Sequence, residues 1–201
     1  MTFEVLIDQP DAKAVLLPNA FSFCASSWLH DLQEQIAFQA KRPVIVYGAN
    51  VPEPRDVQFF GDATVAPLAY GPLIRQPVPF PMILTSIRNA VQSLPFDYLL
   101  GLPQCKSLNC AMVTQYNNQA DSMGFHADDE VAMGLQPFLA SLTLGDTRPF
   151  VFRHNITRQK ISCTLSSGAL LLMLGASLQL NWKHSLPKLQ EPVCLQWNLS
   201  F

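Results

Sequence analysis

Two of the four histidines stand beside other ligand-type side chains: His126 in GFHADDE and His184 in NWKHSLP. The His-x-Asp spacing of His126 and Asp128 brings two donors together at the end of a strand, and a later histidine on an adjacent strand completes a triangular face. Two imidazoles and one carboxylate leave three positions of an octahedral iron(II) open. That is room for a bidentate oxo acid and dioxygen, and it suits oxidation better than hydrolysis. Spacing alone also fits a surface turn in which Asp128, Asp129 and Glu130 are solvated acids, with His184 a satisfied structural histidine.

Such a constellation needs strands to hold it. From Leu108 onward the sequence reads as short strands separated by turns: NCAMVTQY, FLASLTLG, RPFVFRH, KISCTLS, GALLLMLG and VCLQWNLSF. This many short strands in succession points to a barrel or two-sheet jelly roll. In the last of them Val193, Leu195, Trp197, Leu199 and Phe201 alternate with Cys194, Gln196, Asn198 and Ser200. One face is therefore apolar, and the polar one either meets solvent or lines a polar cavity. Upstream, the order is a short strand, a helix, then strand and loop. Ser26 or Ser27 caps that helix, and Trp28, Leu32 and Ile36 face the core. Residues 50–81 are dense in proline and glycine and read as surface loops with short strands. A second helix opens at Pro81 and turns Ile83, Ile87, Ala90, Val91 and Leu94 inward against the outside of a sheet. The fold class is thus α+β, mainly β: a jelly-roll core at 108–201, substrate-side loops at 51–81, and an N-terminal strand/helix extension at 1–50 whose helices pack outside.

Composition narrows the function classes. With 201 residues, 49% of them apolar, one core and one domain are expected, and no repeat or low-complexity tract divides it. The formal charge of −2 and a charged fraction of 14% give no bulk basic signal for nucleic acid, which leaves only a local patch to serve that purpose. Cys24, Cys105, Cys110, Cys163 and Cys194 are odd in number and lack CxxC spacing, so free thiols in a reducing compartment are expected. No cationic leader opens the chain, and its longest apolar run is too short to span a bilayer. The expectation is a cytoplasmic monomer with no membrane partner.

From about Glu53 to the end the chain resembles the AlkB family of nucleic-acid dealkylating dioxygenases, and within it the branch acting on duplex DNA. The stretches that carry the resemblance are EPRDVQFFGD, YGPLIRQPVPFP, NCAMVTQYNNQADSMGFHADDE, ASLTLGDTRPFVFRH, SSGALLLMLG and NWKHSLP, in matching order and spacing. The resemblance implies a double-stranded β-helix with iron(II) in its mouth, 2-oxoglutarate as cosubstrate and alkylated DNA or RNA as partner. It assigns His126, Asp128 and His184 to the metal. Tyr116, Thr114, Gln196, Asn198 and Ser200 fall at cosubstrate positions, and Tyr70 at that of an aromatic stacking on an extruded base. Asp129 falls where an acid reads the base edge, Glu130 in the same substrate-side motif where the loop is organised, and Arg55 in a PR element that braces the substrate loops or touches phosphate, or else is a surface arginine without a role. Phe150 is expected to be structural, while Arg148 and Arg153 carry no assigned role.

Two departures stand out. The family places an arginine at Gln196 for the distal carboxylate of 2-oxoglutarate, and a second immediately after Phe201; Thr114 replaces an asparagine. A neutral amide cannot supply the charge of a guanidinium fork. Lys183 and Arg153 are the sequence candidates to replace it. The resemblance implies oxidative demethylation of bases such as 1-methyladenine or 3-methylcytosine. The alternatives are the same chemistry on RNA, protein or a small molecule, or a relative that binds without oxidising because Gln196 weakens the cosubstrate site.

Overall fold

Alternation in the C-terminal half folds into two facing antiparallel sheets. The computed structural model describes residues 2–38, 43–46, 49–70, 73–101, 107–130, 133–134 and 136–201. In chain order the elements are β1 (Glu4–Gln9), β2 (Ala12–Leu17), α1 (Ala25–Gln35), β3 (Pro43–Val46), β4 (Ala49–Pro52), β5 (Asp56–Gly61), β6 (Leu68–Tyr70), β7 (Leu73–Arg75), α2 (Met82–Gln92) and α3 (Phe96–Leu100). They continue with β8 (Cys110–Tyr116), β9 (Met123–His126), β10 (Phe138–Gly145), β11 (Arg148–His154), β12 (Lys160–Leu165), β13 (Leu170–Leu174), α4 (Ala176–Asn181), β14 (Trp182–Leu186) and β15 (Gln196–Ser200). The larger sheet has seven strands in the order β1-β2-β13-β10-β15-β8-β5; the smaller has four, β12-β11-β14-β9.

The central strands explain their own composition. In β13, Leu170 and Leu172 pack toward α1 and α2, while Leu171 and Met173 pack toward the smaller sheet. Both faces are covered, so the strand is apolar throughout rather than alternating. Its neighbour β2 behaves alike: Val15 and Leu17 face the helices, Ala14 and Leu16 the other sheet. Full burial of one such leucine contributes about 2 kcal/mol. The terminal strand β15 instead divides its faces. Trp197, Leu199 and Phe201 join the helix-side core, and Asn198 and Ser200 turn into the space between the sheets.

Both long helices lie outside the larger sheet, as expected. In α1, Leu32 is fully buried, Ile36 just beyond it is nearly so, and Trp28 packs partly against them. Pro81 precedes α2 as its N-cap, and Ile83, Ile87 and Val91 are buried with Ala90 and Leu94 beside them.

The expected serine cap is not found: the N-cap is Cys24, with no side-chain cap bond, and Ser27 Oγ donates to the Cys24 carbonyl at 2.9 Å. The turn that places Cys24 N–H on the Phe21 carbonyl starts the helix earlier than the serines.

A further expectation is corrected at the N-terminus. The N-terminal extension contributes a hairpin, β1/β2, to the larger sheet rather than one short strand, because the turn at Pro10–Asp11 reverses the chain. Within the segment expected as surface loops with short strands, Asp56–Gly61 is one such strand, but it is buried and paired with β8; Val57, Phe59 and Phe60 supply the apolar surface that places it there. Cys24, Cys110, Cys163 and Cys194 are free thiols, while Cys105 lies outside the described residues. Among the described residues no helix is long and apolar enough to cross a membrane.

Candidate metal centre

β9 and β14 are neighbours in the smaller sheet, and their register sets His126 directly opposite His184. Asp128 follows two residues beyond the end of β9, so the chain turns its carboxylate back between the two rings. His126 Nε2 lies 3.6 Å from Asp128 Oδ1, and His184 Nε2 lies 3.4 Å from Asp128 Oδ2. One ligand atom from each lies within 4.8 Å of the others. The expected triangular face is therefore formed.

Outer contacts orient each ligand. His126 Nδ1 is 2.9 Å from the Gly124 carbonyl, which accepts its proton and leaves Nε2 as the metal-facing lone pair. The Phe150 ring stacks on His184 at 5.3 Å and 18°, with Phe152 edge-on behind it. Phe150, expected to be structural, also lines the cavity beside His184. Gln179, buried in α4, accepts the Asp128 backbone N–H at 2.9 Å and fixes the turn. No sequence signal singled out Gln179, since α4 is too short for periodicity to declare it.

Electrostatics favour a cation. Burial lowers both imidazoles to about 4; repulsion from His184 adds to the effect at His126, and the Arg55 charge at His184. Both rings are thus neutral at neutral pH, the form that ligates. Burial raises the Asp128 carboxyl, opposed by His126 and Arg55. A bound divalent ion would offset that desolvation. Donor set, tautomer and charge together fit an iron(II) ion.

The triad opens into a cavity of about 100 Å³, room for several water-sized groups. Thr114 and Tyr116 from β8 and Asn198 and Ser200 from β15 line it, on adjacent strands with Thr114 opposite Asn198. Ser141 of β10 donates to Asn198 Oδ1 at 2.7 Å, and Ser200 Oγ donates to the same oxygen at 3.1 Å. Ser141 was not singled out from sequence, yet the alternation of Leu139, Ser141 and Thr143 against Ala140, Leu142 and Leu144 marks its face.

Glu130 lines the same cavity, and burial raises its carboxyl. Its backbone carbonyl accepts Met133 N–H at 2.8 Å. Asp129 is exposed beside it and is not among the cavity-lining residues. Tyr70 ends β6, but its side chain lies outside the described residues.

The arginines fall in unexpected places. Arg55 is buried at 8% exposure on the cavity wall, Nη1 donating to the Tyr116 hydroxyl at 3.3 Å, and is no surface residue. Arg148 is fully buried, bound to the carbonyls of Asn118, Asp121 and Pro187, with its guanidinium 5.3 Å from the Tyr116 ring centre. Gln196 is fully buried opposite Tyr116 and does not line the cavity. Of the sequence candidates for the missing cation, Lys183 is exposed and Arg153 stacks over Phe125 at 3.9 Å; neither lines the cavity.

Comparison with known proteins agrees with this geometry. The chain is 27% identical over 187 residues to the DNA oxidative demethylase ALKBH2 of Bos taurus, covering 88% of this chain and 63% of that protein. It is 25% identical over 187 residues to the human alpha-ketoglutarate-dependent dioxygenase alkB homolog 3, covering 88% and 61%. It thus spans somewhat under two thirds of the length of these curated relatives. The solved structure of OsALKBH1 superposes with a TM-score of 0.62 over 97% of this chain and 99% of that one, at 17% identity. An oxidoreductase of the 2OG-Fe(II) oxygenase family from Burkholderia pseudomallei gives 0.61 over 93% and 84%, at 15% identity. These two share the fold. The sequence profile of the 2OG-Fe(II) oxygenase superfamily matches residues 14–197, nearly the whole chain, and the chain belongs to that superfamily.

Proposed function

We propose that the protein is an AlkB-type dioxygenase that oxidatively demethylates N-alkylated bases of nucleic acid, such as 1-methyladenine or 3-methylcytosine. The observation that carries this reading is the triad of His126, Asp128 and His184 at the mouth of a cavity with a polar wall. The similarity to proteins named as DNA oxidative demethylases supports the choice of substrate. With iron(II), 2-oxoglutarate and dioxygen bound, the centre supplies a two-electron oxidation: the N-methyl group becomes an N-hydroxymethyl group that releases formaldehyde, while the cosubstrate becomes succinate and carbon dioxide.

The chain's own residues bind and orient. Neutral His126 and His184 with Asp128 hold the metal, leaving one side of it toward the cavity. Thr114, Tyr116, Asn198 and Ser200 offer hydroxyl and amide groups to the cosubstrate. A base buried in a duplex must leave the stack to reach such a site, and the resemblance assigns Tyr70 to stack on it and Asp129 to read its edge. Positioning the methyl group against a fixed centre converts the reaction into an effectively intramolecular one.

The test is incubation of the iron-loaded protein with 2-oxoglutarate, air and a panel of methylated oligonucleotides, in single strands and duplexes of DNA and RNA. Formaldehyde and succinate in equal amounts, with loss of the methyl group seen by mass spectrometry, are the expected outcome. Succinate formed with no change in any oligonucleotide would reassign the substrate to a protein or small molecule. A Tyr70→Ala chain should raise KM for the oligonucleotide and leave oligonucleotide-independent cosubstrate turnover unchanged.

A further inference from the structure

The geometry points to Arg55 as the cation that holds the distal carboxylate of the 2-oxo dicarboxylic acid, the task for which the position expected on β15 holds the neutral Gln196. This rests on the cosubstrate of the superfamily and is independent of which base or other molecule is oxidised.

A 2-oxo acid chelates a metal through its oxo and adjacent carboxylate oxygens, which leaves its far end in the cavity. A dicarboxylate carries a second negative charge there, and a charge taken out of water needs a partner. Among the described residues Arg55 is the one lysine or arginine that lines the cavity. Arg148 is the other arginine against Tyr116. Arg148 lies over the face of Tyr116, held by three backbone carbonyls on its two terminal nitrogens, and does not line the cavity.

Arg55 meets Tyr116 at the other end, on its hydroxyl. That hydroxyl accepts from the guanidinium and so keeps its own proton to donate. Guanidinium and phenol together form a two-point donor for a carboxylate, at the wall shared by Thr114.

The segment that carries Arg55 is fixed on both sides. Glu53 pairs with Arg75 of β7 at 2.6 Å, the Pro54 carbonyl accepts Ser122 N–H at 3.2 Å, and the Asp56 carboxylate accepts Asn117 Nδ2 at 2.6 Å. The guanidinium is therefore held in place before any ligand arrives, which lowers the ordering cost of binding.

The experiment is anaerobic titration of iron(II)-loaded protein with 2-oxoglutarate and with pyruvate, which lacks the distal carboxylate, following the visible charge-transfer band of the chelate. The wild-type chain should bind the dicarboxylate on the order of 100-fold more tightly, the worth of a charge-assisted contact. Arg55→Gln should abolish that preference, read at saturating iron(II) as the ratio of 2-oxoglutarate to pyruvate affinity, a ratio in which any effect of the lost charge on the metal itself cancels. Arg55→Lys, which keeps the charge, should retain most of the preference and guards against a folding artefact. If wild type prefers the dicarboxylate and Arg55→Gln keeps that preference, Arg55 is not the anchor and the proposal is overturned. If wild type binds iron(II) but neither acid gives a band, the cosubstrate reading falls, and this proposal with it.

Discussion

The two walls of the cavity are built by different rules. The smaller sheet supplies the metal face from β9 and β14, where a cross-strand pair and a following turn bring three ligands together. Each of those ligands has its own support: Gly124 for His126, Phe150 for His184, and Gln179 for the Asp128 backbone. The larger sheet supplies the facing wall from β8, β10 and β15, where Thr114, Ser141, Asn198 and Ser200 are polar but uncharged. Its cationic character comes from the segment entering the edge strand β5, through Arg55. Metal ligation depends on three donors at fixed spacing and tolerates little change. A carboxylate needs a positive charge within reach, and different strands can deliver it.

The largest expected effect lies on the metal wall. Asp128→Ala removes the only anionic ligand and should weaken iron(II) binding by more than the roughly 10–100-fold that loss of an outer-shell partner costs. Metal content after dialysis measures this, and retention of stoichiometric iron would break the distinction between the walls.

Next comes the girder behind Tyr116. Arg148→Met leaves the carbonyls of Asn118, Asp121 and Pro187 without their donors, and should lower unfolding stability by about 3 kcal/mol in denaturant melts. A loss confined to cosubstrate affinity, with stability intact, would make Arg148 part of the binding wall instead.

A third difference should show in pH. In the metal-free protein burial holds His126 and His184 at about 4, against an ordinary imidazole value of 6.5. Between those values the unfolded chain binds more protons than the folded one. Stability therefore falls as pH drops from 6.5 toward 4 and is insensitive to these groups above that window. Asp128, raised by burial, opposes this with one proton against two. Thermal melts at graded pH should show the slope, and His184→Gln should reduce it. An unchanged slope would mean that the metal wall is not desolvated as described.

The same division governs what the sequence made legible. Strands with one apolar and one polar face declared themselves, as β15 did through Trp197, Leu199 and Phe201 against Asn198 and Ser200. The triad was readable because its ligands are rare residue types at a spacing with chemical meaning. Arg55 was not, because an arginine beside a proline looks like any loop cation until its burial is known. β5 was legible only as one of several short strands, because its burial is fixed by pairing with distant β8 and not by its own proline- and glycine-rich surroundings. Gln179 reaches the site through tertiary packing that no local pattern encodes.

The smallest effect is expected at Gln196, and it bears most directly on the contrast between the walls. Its amide is fully buried, and among the described residues neither Oε1 nor Nε2 has a hydrogen-bond partner. A buried polar group in that state opposes folding, since the water it gave up is not replaced. Gln196→Met keeps the length and removes the two polar atoms, so it should raise stability by about 1 kcal/mol. Because Gln196 lies behind the cavity rather than on its wall, 2-oxoglutarate affinity should remain within about twofold, a change well under 1 kcal/mol. Denaturant melts and the anaerobic titration read the two quantities on one preparation. A variant that is more stable and binds normally leaves the anchoring to the edge segment. One that loses the cosubstrate as Arg55→Gln is expected to would return that task to β15, and the two walls would no longer differ in how they bind.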